Sequence, residues 1–209
     1  MTKHVIGLAI GTALVLALSA VGVAADKGKD KDEVDQDTLD ARKDVLDVLK
    51  DVEGGKEDKV IVAKGVAIQK KGTDLNNLMK VYKLKEKGGL GFGDKPDDKS
   101  GLEAKIIALQ RTERGPSTAT LKKEAKGIVK LAHVNIAMAE IGRPHYDAYK
   151  ATGKANGKTQ KDWDRWFDDQ KKAAKELIEA VKKEDGKAVA KASKDLLATC
   201  TECHAAFRK

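Results

Sequence analysis

Aromatic residues are scarce in this chain: two Trp, three Tyr and three Phe among 209 residues. Without a ladder of rings to stack bases, a net charge of +8 does not read as a nucleic-acid surface. Nor is the basic excess focused, because lysines alternate with Asp and Glu along most segments, as on solvated helix faces. Scattered lysines instead suit encounters with acidic protein partners. Two cysteines are too few for a disulfide framework in a chain of this length. Alternating strand patterns are also scarce, and the β-branched residues mostly sit inside helical stripes. Beyond residue 25 no stretch is apolar enough to span a membrane.

What is present begins with the short basic segment MTKH and the uncharged run VIGLAIGTALVLALSAVGV. Val23-Ala24-Ala25 then puts small residues at the −3 and −1 positions ahead of Asp26. This is the pattern of a secretory signal peptide, residues 1–25, cleaved after Ala25. The expected location is the periplasm or another exported compartment. The span from Val5 to Ala25 is also long enough to cross a bilayer, so the chain meets a membrane only if this segment stays uncleaved. Residues 26–34, DKGKDKDEV, read as a charged, disordered leader.

From there helical periodicity dominates. Leu39, Val45, Leu46, Leu49 and Val52 form one stripe of a helix over about 38–52, which Gly54-Gly55 ends. A second helix is predicted over 57–71. A third, short one is predicted over 75–84, capped by Thr73 or Asp74. The loop GGLGFG, residues 88–93, has Walker-A glycine spacing, but Asp94 stands where the lysine belongs and no βαβ unit surrounds it. It reads as a flexible connector or as backbone that approaches a flat ligand closely. A short helix over 101–110 and a long one over 118–141 follow. Residues 142–158 read as a polar, Gly-rich connection. Trp163, Trp166, Phe167, Ala173, Ala174, Leu177 and Val181 mark a helix over about 162–183. After the tight turn Glu184-Asp185-Gly186, the last helix carries Val189, Ala192, Leu196, Cys200, Cys203 and Phe207 on one face. So short a turn implies an antiparallel pair. The expected class is all-α, with a four-helix bundle built from the C-terminal half and one earlier helix.

The chemistry lies in C-T-E-C-H, residues 200–204, the C-x-x-C-H pattern of c-type haem attachment. Thiols three residues apart on a helix share a side, within reach of adjacent pyrrole rings. His204, the next residue, can bring its imidazole under the iron as proximal ligand. Three other readings compete. A thioredoxin-like dithiol needs a helix N-terminus, and this pair sits near a C-terminus. A zinc site needs four ligands, and only His133 and His145 are left besides His204. The third is a chance cluster.

The stretch DWDRWFDDQKKAAKELIEAVKKEDGKAVAKASKDLLATCTECHAAFR, Asp162 to Arg208, resembles the class II cytochromes c: the cytochromes c′ and their low-spin relatives. The matching features are an aromatic-led third helix, a GD-like turn, and a haem helix ending C-x-x-C-H-x-x-(Phe/Tyr)-Arg. Cys200, Cys203, His204, Phe207 and Arg208 fit this pattern. The helix from 118 resembles the family's second helix, and residues 35–117 read as an N-terminal helical region. The resemblance implies a cytochrome c′-like bundle over 118–209 that carries one covalent haem c. It puts Arg208 beside the proximal face, while capping of the last carbonyls is the other reading. Phe207 would pack against porphyrin or core. Family members often pair through their first two helices, which leaves a homodimer open.

The sixth position on the iron separates the functions. In this family the distal residue comes from the first helix. Met79, in LNNLMKVYK, is the candidate sixth ligand, with core filler as its other reading. Met138 reads as core. His133 shares a stripe with Lys126, Lys130 and Glu140 and is expected in solvent. His145 has no assigned role. The expected function is one-electron transfer to redox partner proteins. The alternatives are a five-coordinate, gas-binding cytochrome c′ that takes up NO and a haem-free helical interaction protein. A peroxidase would need a distal acid–base residue, and none is evident, so no enzyme is expected.

Overall fold

The computed structural model describes residues 34–93, 100–153, 155 and 157–207. The expected signal peptide, residues 26–33 of the expected leader and Arg208 lie outside them, as does the side chain of Phe207. The described residues are all-helical, with no strand among them. Helix α1 is Gln36–Glu53, α2 Asp58–Lys70, α3 Leu75–Met79, α4 Leu102–Leu109 and α5 Thr118–Gly142. They are followed by α6, Tyr146–Ala151, α7, Gln160–Lys182, and α8, Gly186–Phe207. Among the described residues no helix is long and apolar enough to cross a membrane.

Local chemistry explains where the long helices begin. The Asp35 carboxylate accepts the Thr38 amide at 2.8 Å. The Ser117 hydroxyl accepts the Thr120 amide at 3.2 Å. Thr159 and Asp162 cap each other's backbone reciprocally at the head of α7. Each such cap satisfies amides that have no partner within the helix, worth about 1 kcal/mol.

The pairing of α7 and α8 is closed by Lys183–Asp185. Asp185 donates its amide to the Ala180 carbonyl, and its side chain accepts the Ala188 amide that starts α8. Helix α5 packs along the other flank of α7, α1 and α2 rest on α5, and α4 rests on α8. The main core joins Val45, Val48 and Leu49 of α1 to Ile128, Leu131 and Met138 of α5, Leu177 of α7 and Leu196 of α8. A second, aromatic cluster gathers Tyr146, Trp163, Trp166 and Phe167, with Trp163 edge-on to Phe167 at 5.2 Å.

Four expectations need correction. The helix from Leu75 ends at Met79, and the chain tightens into a 3-10 turn, Lys80–Tyr82. The connection 142–158 is not plain coil: it holds a 3-10 turn and α6, and it buries His145 and Tyr146. The GGLGFG loop is neither a loose connector nor open to a flat ligand. Gly88, Gly89, Leu90 and Gly91 are buried, and a Cβ on Gly89 would overlap the Lys83 carbonyl. The stripe of His133 and Glu140 is not a solvated face. His133 is half-buried, and Glu140 is buried in an ion pair with Lys171 at 2.8 Å.

Gly65 lets α2 lie close on α5, since a Cβ there would run into the backbone carbonyl of Glu140. Gly→Ala inside a helix ordinarily stabilises by about 1 kcal/mol. Here the clash is with backbone, so Gly65→Ala is expected to lower stability by about 1–3 kcal/mol, read as a lower urea midpoint. A raised midpoint would contradict the close approach.

Candidate functional site

The C-x-x-C-H turn is aimed by the register of α8. Val189, Ala192, Ser193, Leu196 and Thr199 are buried, and Cys200 and Cys203 continue that face as half-buried residues, while His204 is exposed. Both thiols therefore point toward neighbouring helices. Burial pushes the Cys200 thiol up to about 11. Burial first, and then the neighbouring Cys200, pushes Cys203 up to about 12.

Each cysteine has a distinct neighbourhood. Cys203 packs against the aromatic cluster of Trp163, Trp166 and Phe167. Trp166 donates its indole N–H to Glu202 Oε2 at 3.2 Å, which ties the head of α7 to the motif itself. Cys200 is close enough to Tyr82 for their charges to interact, and Glu103 on α4 acts on both. Burial drives the Tyr82 hydroxyl well above the ordinary phenol range. That hydroxyl donates to Asn135 Oδ1 at 2.9 Å. Gln170 Nε2 donates to the Tyr82 oxygen at 3.1 Å and to Asn135 Oδ1 at 3.1 Å. Asn135 Nδ2 donates to the Leu131 carbonyl at 2.9 Å. A polar trio from three elements thus stands beside the buried thiol.

Met79, the expected sixth ligand, ends α3, a helix that packs on α1, and its half-buried side chain joins the main core. Met138 is fully buried in that core. His145 is buried, with Nδ1 2.8 Å from the Ile141 carbonyl and Nε2 3.1 Å from that of Thr73, beside a cavity of about 320 Å³. His133 lines a separate cleft of about 450 Å³. No cysteine lines either space. Among the described residues no three or more His, Cys, Asp or Glu side chains gather as a metal site. Thiols with raised pKa values stay protonated at neutral pH, which makes them poor metal ligands and slow exchange nucleophiles.

The donor set fits the haem that the motif implies: two thiols three residues apart on one helix side, with an imidazole on the next residue. Beside them stand Tyr82, α4 and the aromatic cluster. Two turns earlier on the same face, Ser193 Oγ is buried with no hydrogen-bond partner among the described residues. Sequence reading missed Tyr82, Asn135, Gln170 and the Trp166–Glu202 bond. The available signal was polar residues at core-facing positions: Gln170 falls between Phe167 and Ala173 on the buried stripe of α7. Comparisons with protein families, curated proteins and solved structures give no match to this chain.

Below pH 9, a shift from 9.0 to about 11 leaves roughly a hundredfold less thiolate at Cys200 than in the unfolded chain. In the haem-free protein, iodoacetamide at pH 8 should therefore label Cys200 about a hundredfold more slowly than in urea, and Cys203 more slowly still. Folding favours the protonated thiols, so their contribution is complete below pH 9 and is lost as pH rises toward 11. The urea midpoint should fall over that window in the wild type and fall less in Cys200→Ala. Equal labelling in both states would contradict buried thiols.

Proposed function

We propose that this chain is an exported monohaem c-type cytochrome of the class II kind, an electron carrier rather than an enzyme. Its bundle is built on α1, α5, α7 and α8. The observation that carries the reading is the C-x-x-C-H motif on the last helix, with both thiols on the core-facing side. Cys200 and Cys203 would hold one haem c as thioethers, and His204 would be its proximal ligand. A bound haem supplies an iron that gains and loses one electron. Around it, the chain's own residues set the site. Trp166 and Glu202 hold the motif turn against α7, and the Tyr82–Asn135–Gln170 trio offers a hydrogen-bonded polar wall. Arg208 and Phe207 follow the family pattern at the proximal end. Lysines scattered over the surface would steer acidic redox proteins toward the carrier.

The packing of Met79 into the main core favours a second reading. If Met79 stays there and no side chain takes the sixth position, the protein is a five-coordinate, gas-binding cytochrome c′.

Optical and EPR spectra of the oxidised protein separate the two. A low-spin spectrum that turns high-spin in Met79→Ala is expected for an electron carrier with a His204/Met79 pair. A low-spin spectrum that survives the substitution removes Met79 as ligand. A high-spin wild type that takes up NO favours the gas-binding reading. A chain that fails to stain for haem, when made with covalent haem-attachment machinery, overturns both and leaves a haem-free helical interaction protein.

A further inference from the structure

Glu202 stands between the two cysteines, where neither the C-x-x-C-H pattern nor the apolar stripe of α8 calls for an acid. Its tie to α7 is the bond from the Trp166 indole N–H to Oε2 at 3.2 Å. Trp166 is 5% exposed and belongs to the aromatic cluster against which Cys203 packs. The Arg165 guanidinium lies over the same ring, 5.5 Å from its centroid. Cluster and guanidinium together fix the direction in which the indole N–H points.

Glu202 itself is exposed, on the second-to-last turn of α8. An exposed glutamate ordinarily samples many rotamers, and water and salt screen its charge. The indole N–H instead selects the rotamer that lies against α7. Trp166 therefore stands under two parts of the motif at once: its ring against Cys203, its N–H on the carboxylate of the residue before it.

We propose that Glu202 lowers the reduction potential of the haem that the motif would hold, and that Trp166 is the positioning residue for its carboxylate. The proposal rests on the haem reading above. A negative charge held one residue before Cys203 and two before His204 favours an iron in its more positive, oxidised form. Residues outside the ligand set tune a metal in this way, by their charge and by the bonds that orient them. Without the indole N–H the carboxylate would turn into solvent, and its field at the motif would weaken.

Redox titration of the haem-loaded chain tests this with Glu202→Gln, Trp166→Phe and the double variant, each checked for folding by circular dichroism. Glu202→Gln removes the charge and keeps an oxygen for the indole. Trp166→Phe keeps an apolar ring and loses the N–H. Glu202→Gln should raise the midpoint potential and Trp166→Phe should raise it less. The effect of Glu202→Gln should shrink in the Trp166→Phe background, because the two residues act as one unit. It should also shrink in high salt, as a charge effect does and a packing effect does not. In the haem-free chain, Glu202→Gln should move the NMR signal of the Trp166 indole N–H. The signal of Trp163, which donates to the Gly142 and Arg143 carbonyls, should stay in place. An unmoved Trp166 signal, a potential unchanged or lowered by Glu202→Gln, or equal shifts in both backgrounds would each overturn the proposal. A chain that attaches no haem overturns the haem reading and this role with it. A haem-loaded chain whose potential ignores Glu202→Gln overturns the role alone.

Discussion

The register of the last helix is the constraint on which the site depends. Leu196 and Val189 are fully buried, and a helix that buries them must also turn inward every residue three, four and seven positions away. Cys200 and Cys203 are on that list. Their facing direction is therefore not a local property of the motif but a consequence of hydrophobic packing two and three turns earlier. Rotating α8 to expose the thiols would expose the leucine as well, at a cost of about 2 kcal/mol or more for that side chain alone. The Trp166–Glu202 bond fixes the same register from the flank. The raised thiol pKa values follow from this geometry, because buried thiols resist ionisation.

Polar groups inside the bundle are matched with care, and the matching joins elements distant in sequence. Tyr82, Asn135 and Gln170 link the 3-10 turn after α3 to α5 and α7 through bonds of about 3 Å. Glu140, Lys171 and Asp58 do the same for α5, α7 and α2. Removing one member of the trio, or Lys171 from beside the buried Glu140, would strand a buried polar group, which costs more than the bond itself contributes. Against this background Ser193 stands out as a buried hydroxyl with no partner among the described residues, on the face that carries the thiols.

Much of the fold was legible in the sequence because it is written locally. The edges of α7 and α8 fall within two residues of the bounds expected from the sequence, since Thr159–Asp162 and Asp185 cap them by adjacent chemistry. The all-helical class followed from the same periodicity. What was illegible depends on tertiary partners. The helix from Leu75 gives way to a tighter turn where Tyr82 reaches Asn135, 53 residues away. GGLGFG carries the composition of a loose loop, yet it is pinned against Lys83 and Thr38. His133 and Glu140 read as a solvated stripe, and nothing in α5 alone reveals that α1, α2 and α7 cover them. Of the site, the motif and its inward face were readable. Tyr82 was not, because its neighbour Cys200 is more than a hundred residues away.

The proposed function requires α8 to carry a covalent haem on its two inward thiols. Mass spectrometry of the protein made with covalent haem-attachment machinery tests it most directly. The account predicts an intact mass greater than that of the mature polypeptide by one haem, with the increment on the proteolytic peptide that contains Cys200, Cys203 and His204. A bare polypeptide mass, or an increment on any other peptide, would contradict it.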